Sequence, residues 1–244
     1  MPPRQGSAGL QSSVVDALGQ EIVDGLVPAG HRYTLDELCE RFGVSRTTAR
    51  DASGVLEALG LLRPRRKVGL EVQPQSCWAV GHPRVVSLRL HGARADEAYS
   101  EIAELRAGVE PIAAASAAQR ATPEDRAKLL AAAHALRDAA TRRDVSAYRA
   151  AEQDFHSLLL SIGGNSLFGG MRGVITEVVL HRVGHRLTDE DAVRELVGAH
   201  VELAEAIHEG RATDASRHAR RAAGSLPDLP RTRLPAMDAR DILG

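Results

Sequence analysis

A carboxylate and two imidazoles in the C-terminal half of the chain are the side chains best suited to chemistry inside a folded protein. Glu152 and His156 are four residues apart, so on a helix they lie on the same face. His200 follows in a later apolar stretch that contains Val197 and Val201. This donor set suits zinc, nickel or manganese. Two interpretations follow: a divalent metal site, or a hydrogen-bonded polar cluster without metal.

A stretch nearer the N-terminus, Thr34 to Gly69, has the pattern of a DNA-binding motif. Two short helical patterns flank Gly43, which suits the left-handed position that ends the first of them. Ser45 suits the N-cap of the second helix. The side chains expected to meet base edges in its first turn are Arg46, Thr47, Thr48 and Arg50. Such a helix-turn-helix places its second helix in the major groove, where guanidinium groups pair with guanine or grip phosphate.

Two short strand patterns and a basic hairpin tip follow, which together predict a winged helix. The strands are expected at Leu61-Leu62 and at Val68 to Val72. Between residues 41 and 67 there are seven basic and two acidic residues, in a chain whose net charge is -1. Positive charge is therefore concentrated where DNA would lie. The other predicted DNA contacts are Ser45, Arg65, Arg66, Lys67 and Gly69. The alternative is an ordinary solvated helix pair.

Helical patterns dominate the remainder, so the predicted fold class is mainly α. Aromatic residues make up only 3% of the chain, and Ala and Leu do most of the filling, which favours helices. From Asp96 onward the chain reads as six antiparallel helices that form an all-helical bundle. The predicted organisation is a disordered N-terminus (1–11), a winged helix-turn-helix DNA-binding domain (12–73), a linker with a short helix (74–94), a helical domain (95–227) and an irregular tail (228–244).

Length and composition exclude several classes of protein. A chain of 244 residues favours two domains. No apolar run approaches the roughly 18 residues of a membrane span, and the N-terminus lacks the apolar core of a signal peptide. Cys39 and Cys77 provide neither a disulfide framework nor metal-ligand spacing. We therefore expect a cytoplasmic protein with no membrane partner.

The winged-helix stretch resembles the DNA-binding domain of GntR-type bacterial transcription regulators. The matching segments are Pro28 to Gly30, Glu37-Leu38, Gly43 to Ala52, Gly60 to Leu62 and Gly69 to Val72. Asp51 and Ser53 stand where that family usually has Glu and Leu. The resemblance implies a bacterial protein that binds a double-stranded operator and is associated with the nucleoid when bound to DNA.

The helical half resembles the effector domain of the FadR-like subfamily, the FCD domain. The matching segments are Arg106 to Pro111, Phe155-His156, Gly164-Asn165 and His200 to Gly210. The resemblance implies dimerisation and, as in many members, a divalent metal held by an Asp and three His. Glu152 stands in the place of that Asp, so the expected metal ligands are Glu152, His156 and His200. The fourth ligand would fall at Ala222, which cannot coordinate a metal, and His218 or His185 are the candidate substitutes.

The same resemblance implies an effector pocket. Arg106 would clamp the carboxylate of an acid there, or else form a salt bridge to Glu110. Asn165 either caps a helix or joins the pocket, and His185 lies either on the surface or in the pocket. The expected effector-binding residues are Arg106, Glu152, His156, Asn165, His185 and His200. The wing and linker, from Arg65 to Gly69 and around Trp78, are similar to the branch that senses sugar acids such as gluconate or galactonate.

Three functional hypotheses follow. The first is a transcription regulator, a repressor, that binds a pseudo-palindromic operator as a homodimer and is released by a small organic acid such as a sugar acid. The second is a metal-dependent helical hydrolase that carries a DNA-binding module. Against it, no general acid/base pair or nucleophile motif accompanies the three candidate ligands. The third is an architectural DNA-binding protein without a ligand, and an internal pocket would argue against it.

Overall fold

The computed structural model describes residues 7–66, 68–186 and 190–224, apart from the side chains of residues 7, 8, 180–186, 190, 192 and 224. Lys67, the side chain of His185 and the predicted tail at 228–244 therefore lie outside the described residues. The secondary structure confirms a mainly α fold with a winged N-terminal motif and a helical bundle.

Eleven α-helices and one three-stranded sheet make up the described part of the chain. The helices are α1 (Ser7–Val23), α2 (Leu35–Phe42), α3 (Arg46–Ala58), α4 (Pro83–Leu90), α5 (Ala95–Arg120), α6 (Pro123–Arg142), α7 (Val145–Ser161), α8 (Ser166–Gly170), α9 (Arg172–Arg186), α10 (Glu190–His208) and α11 (Ala212–Gly224). The strands are β1 (Arg32–Tyr33), β2 (Leu62–Arg65) and β3 (Gly69–Val72).

The helix-turn-helix formed by α2 and α3 is fixed by its caps. Thr34 and Glu37 form a capping box: the Glu37 backbone N–H donates to Thr34 Oγ1 over 3.2 Å, and the Thr34 backbone N–H donates to Glu37 Oε2 over 2.7 Å. Gly43 ends α2 in the left-handed region at φ 62°. Because a side chain is disfavoured at such a φ, glycine suits this turn. The caps thus set the angle at which α3 leaves the turn.

The sheet has the antiparallel order β1-β3-β2, with the wing between β2 and β3. Gly69 opens β3 at φ 106°, and a Cβ at this position would lie 2.2 Å from the backbone oxygen of Tyr33. Only glycine permits so close an approach of β3 to the end of β1. The position of the wing therefore depends on Gly69.

Three details of the sequence analysis were wrong. Helix α1 begins at Ser7, although residues up to 11 were expected to be disordered; the prolines that oppose a helix stand before this point, at Pro2 and Pro3. Strand β1 was missed because two residues carry no alternation pattern. The bundle has seven described helices, α5 to α11, where six were expected, since Gly169-Gly170 weakens helical propensity at the break between α8 and α9.

Helix α4 was predicted as a short helix within a linker, and its side chains are deeply buried. Val85 and Leu88 pack into the core formed by α1, α3 and the sheet. Val86 and Leu90 pack into a different core, with side chains of α5 and α9. The four buried apolar residues of this eight-residue helix are thus divided equally between two hydrophobic cores.

The bundle consists of α5 to α11 and has an alanine-rich interior. Its largest core joins α5, α6, α7, α10 and α11 around Phe155, Leu159 and Leu203. Alanines such as Ala117 and Ala219, both fully buried, let α5 and α11 approach closely. Helix α7 packs on α6 and α9, so its inward face is enclosed by the bundle. Among the described helices, none is both long enough and apolar enough to span a membrane.

Candidate functional site

Helices α5, α7 and α10 bring a group of ionisable side chains together inside the bundle, and we call it the buried cluster. It consists of Arg106 and Glu110 from α5, Glu152 and His156 from α7, and His200 from α10. Each of the five is between 1% and 3% exposed. Burial of so many charged groups is costly unless they are paired, so their mutual contacts decide what the site can do.

Three ligand atoms face one another within the buried cluster. His156 Nε2 lies 3.2 Å from Glu152 Oε2 and 3.3 Å from His200 Nε2. His200 Nε2 lies 3.8 Å from Glu152 Oε2. Ligand atoms at 2.0–2.1 Å around a tetrahedral zinc are about 3.3 Å apart. The spacing of these three atoms therefore fits a metal ion held between them.

Contacts on the far side of each ligand direct these atoms inward. His200 Nδ1 lies 2.7 Å from the backbone oxygen of Leu196, which fixes the proton on Nδ1 and leaves the Nε2 lone pair facing the centre. The Tyr148 hydroxyl donates to Glu152 Oε1 over 2.8 Å, so Oε2 is the oxygen that faces the imidazoles. His156 Nδ1 lies 3.1 Å from Glu110 Oε1, and because it is poorly aligned for a hydrogen bond the contact is chiefly electrostatic.

Arg106 combines the two roles that the sequence left open. Its Nε and Nη2 donate to the two carboxylate oxygens of Glu110 over 2.9 and 3.2 Å, which is the bidentate geometry of a strong ion pair. The same Nη2 lies 3.4 Å from His156 Nε2, at the edge of the three ligand atoms. The guanidinium group is therefore both a salt-bridge partner and part of the wall around the ligand atoms.

The ionisable members of the buried cluster differ in how their surroundings shift their pKa values. Burial opposes ionisation of Glu110, but the adjacent guanidinium of Arg106 and the imidazole of His156 outweigh it and lower the Glu110 pKa to about 2. Burial also lowers the pKa of His200, which therefore stays neutral, as a metal ligand must. Burial also acts to lower the pKa of His156, but the adjacent Glu110 carboxylate outweighs it, so the pKa of His156 is raised.

Several predicted residues do not join the buried cluster. Asn165 caps α8, where its side chain accepts a hydrogen bond from the Leu167 backbone N–H over 3.0 Å, in accord with the capping interpretation. His218, suggested as a substitute ligand, instead lies 3.0 Å from Glu202. Ala222 is buried and contributes a methyl group only. The predicted role of His185 lies outside the described side chains.

Two members of this site were not predicted as functional residues. Glu110 was considered only as a salt-bridge partner of Arg106, although it also contacts His156. Tyr148 was not considered at all. Its signal was present in the spacing, because Tyr148, Glu152 and His156 follow one another at four-residue intervals and share one face of α7.

The first turn of α3 presents exposed basic side chains to solvent, as expected of a recognition helix. Arg46, Thr47 and Arg50 are exposed. Ser45 caps the helix, since its Oγ accepts from the Thr48 backbone N–H over 3.1 Å, and Thr48 itself is buried. Ser45 and Thr48 therefore shape the turn, whereas the side chains of the other three residues are exposed to solvent.

The wing carries a second set of basic side chains. Arg65 and Arg66 are exposed, and Arg65 Nη2 lies 3.1 Å from Glu71 Oε1. Arg32 on β1 lies 3.4 Å from the other oxygen of Glu71, so one carboxylate is shared by two guanidinium groups. The first turn of α3 and the wing are thus two exposed basic segments, and they are the segments for which the sequence predicted DNA contacts.

A winged helix joined to a helical bundle with an internal polar site defines a class of protein: transcription regulators that combine a DNA-binding unit with a ligand-binding unit. Residues 10–72 match the family described as bacterial regulatory proteins, gntR family. Residues 101–223, about half of the chain, match the FCD domain. The chain therefore belongs to the GntR family of bacterial transcription regulators, in the group that carries an FCD domain.

Curated relatives agree with this assignment. Over 157 residues the chain is 30% identical to an uncharacterized HTH-type transcriptional regulator of Mycobacterium tuberculosis, which covers 64% of this chain and 62% of that protein. Over 148 residues it is 32% identical to the galactonate operon transcriptional repressor of Escherichia coli, which covers 60% of this chain and 64% of that protein. The matches span less than two thirds of either relative. The matched families and relatives are transcription regulators and not enzymes, so the hydrolase alternative has no support.

Solved structures share the fold. GntR of Streptococcus agalactiae is 23% identical, with a TM-score of 0.51 over 88% of this chain and 98% of that one. Lar, which controls expression of the Listeria monocytogenes agr system, is 17% identical, with a TM-score of 0.62 over 88% of this chain and 94% of that one. At these identities the likeness concerns the fold alone.

Proposed function

We propose that the protein is a homodimeric repressor that binds a pseudo-palindromic operator and is released by a small organic acid bound in the FCD domain. The observation that carries this proposal is the joining of a basic winged helix to a bundle whose interior holds three inward-facing ligand atoms. Each unit has its own hydrophobic core, and α4 contributes side chains to both, which supports a link between ligand binding and DNA binding.

On the DNA side, Arg46, Thr47 and Arg50 would meet base edges or phosphates in the major groove. The wing residues Arg65, Arg66 and Lys67 would hold phosphates or enter the minor groove. Ser45, Thr48 and Gly69 would act by shaping the turn and the wing. A homodimer would place two such surfaces about one helical turn of DNA apart, which is why the operator is expected to be pseudo-palindromic.

Inside the bundle, Glu152, His156 and His200 would hold a divalent metal, with zinc, nickel or manganese as the candidates. The inward lone pair of His200 and the inward oxygen of Glu152 support this over a polar cluster without metal. When bound, a metal with three protein ligands offers an open position to a carboxylate or hydroxyl oxygen of an effector. Ala222 leaves that position free of a fourth protein ligand.

The effector is proposed to be a sugar acid. Arg106 stands at the edge of the ligand atoms and can attract a carboxylate. The Escherichia coli relative, named for the galactonate operon, points in the same direction. The acid would have to prefer the form of the protein that does not bind DNA; a change from mostly bound to mostly free requires about 5 kcal/mol of differential affinity.

Binding of the purified protein to the DNA upstream of its own gene tests the proposal, with gluconate, galactonate and related acids added one at a time. We expect specific binding that one of these acids abolishes. Neutral sugars of the same carbon count serve as controls. Binding that no acid alters would refute the effector half of the proposal, and absence of specific binding would refute the whole.

A further inference from the structure

An acidic residue stands on the DNA-binding surface beside the recognition helix. Asp36 lies in the first turn of α2, and its Oδ1 is 2.6 Å from Nη1 of Arg46 in the first turn of α3. The Arg46 side chain is 64% exposed and the Asp36 side chain 74% exposed. So exposed a pair adds little to the stability of the fold, and it can open readily.

The pairing distinguishes Arg46 from Arg50, its neighbour on the same helix face. Within the described residues, Arg50 makes no ion pair and is exposed. Both side chains belong to the surface proposed to bind DNA, yet only Arg46 is held by a carboxylate. To meet a phosphate or a base edge, Arg46 must leave Asp36 or carry that negative charge toward the DNA.

We propose that Asp36 is an affinity-setting residue of the DNA-binding surface, an internal counter-ion that competes with DNA for Arg46. The inference rests on the proposed DNA-binding function and adds a residue to it. In the free protein the carboxylate neutralises Arg46. In the complex it loses its partner and faces the phosphates, which repel it.

The competition between Asp36 and DNA for Arg46 also affects how the DNA-binding affinity depends on salt concentration. A basic side chain that binds phosphate releases a condensed cation from DNA, with a slope of about 0.9 in log K against log salt for each contact. When Arg46 makes such a contact, the freed Asp36 attracts a cation from solution, which offsets part of that release. Removal of the Asp36 charge should therefore steepen the salt dependence by roughly 0.5 to 1.

The test compares Asp36→Asn with wild type by fluorescence anisotropy, on a labelled duplex from the region upstream of the gene and on a random duplex of equal length. We expect Asp36→Asn to bind the upstream duplex about 3- to 10-fold more tightly near 0.15 M salt, with a steeper slope. Glu57→Gln is the matched control, because it removes the same charge from a different place on α3. Glu57 lies about 16 Å along the helix from Arg46, which is more than the screening length of roughly 8 Å at this salt concentration. It should bind like wild type.

A double-mutant cycle tests whether Asp36 acts through Arg46. In an Arg46→Gln background only the repulsion between Asp36 and the phosphates remains, so Asp36→Asn should give a gain at least 2-fold smaller than in the wild-type background. Unchanged or weaker binding by Asp36→Asn, or an equal gain in both backgrounds, would overturn the inference while leaving DNA binding intact. Failure of wild type to prefer its upstream duplex over the random one would overturn the proposed function and the inference with it. Thermal unfolding and Asp36→Ala as a second variant guard against a folding defect.

Discussion

Replacement of Arg106 by methionine removes one half of a fully buried ion pair and leaves the other half in place. Methionine fills much of the same volume, so the loss is chiefly one of charge and hydrogen bonds. Glu110 would remain 1% exposed, without the two hydrogen bonds that it now accepts from the guanidinium group. The variant therefore measures the cost of leaving the buried Glu110 carboxylate with His156 as its remaining charged contact.

The size of the effect follows from the Glu110 pKa. Its lowering from 4.5 to about 2, against the opposing effect of burial, corresponds to roughly 3 kcal/mol in favour of the charged carboxylate, and Arg106 is the largest favourable contributor. Loss of one partner of a buried pair costs about 3 to 5 kcal/mol. We therefore expect Arg106→Met to lower the free energy of unfolding by about 3 kcal/mol or more.

Urea unfolding at pH 7 with a chelator present, followed by circular dichroism, measures this loss as a midpoint lower by about 1 to 2 M. The second variant, Arg106→Met with Glu110→Gln, should recover most of it, because no buried charge then lacks a partner. Arg94→Met is the matched control: the Arg94–Glu97 pair is exposed, and its loss should leave the urea midpoint close to that of wild type. A cost below about 1 kcal/mol for Arg106→Met, or no recovery in the double variant, would refute the reasoning.

Three further predictions concern the metal and the wing. His156→Ala should abolish stoichiometric zinc or nickel binding in equilibrium dialysis, whereas His218→Ala should not, since His218 lies away from the ligand atoms; equal retention by both would contradict the site. Tyr148→Phe should weaken metal binding by about 10-fold in a competition titration with a chromophoric chelator, with circular dichroism unchanged, because Glu152 loses the hydrogen bond that orients it; wild-type affinity would argue against this role. Gly69→Ala should cost about 1 to 3 kcal/mol in thermal unfolding and weaken DNA binding, whereas Gly81→Ala, where a Cβ meets open space, should do neither; an unaffected Gly69→Ala would exclude strain in the wing.

The helix-turn-helix could be predicted from local sequence patterns, because the residues that determine it are close in sequence. The cap at Ser45 and the turn at Gly43 act within a few residues, and both are present as expected. The face shared by Glu152 and His156 also follows from helix geometry alone, although their approach to His200 depends on the packing of α7 against α10. The predicted DNA contacts and metal ligands remain predictions.

The features that could not be predicted from the sequence depend on tertiary packing. Strand β1 is stabilised by its pairing with β3. This contact is distant in sequence, and the two residues of β1 show no local pattern that would predict it. The contact between Glu110 and His156 joins residues 46 positions apart on different helices. Asp36 belongs to the same class, since its role depends on how two helices meet at a turn. In each case the partner lies beyond the range of any local pattern.

The division of α4 between two cores makes helical register, and not length, the quantity that joins the two halves of the protein. Successive residues of a helix are rotated by about 100°. Insertion or deletion of a single residue between Val86 and Leu88 would therefore rotate Leu88 and Leu90 by about 100° relative to Val85 and Val86, so that each core would lose the orientation of one of its α4 side chains. Helix α4 is thus packed on both sides, and a rotation of the bundle relative to the winged helix would have to change the packing of α4 in at least one of the two cores.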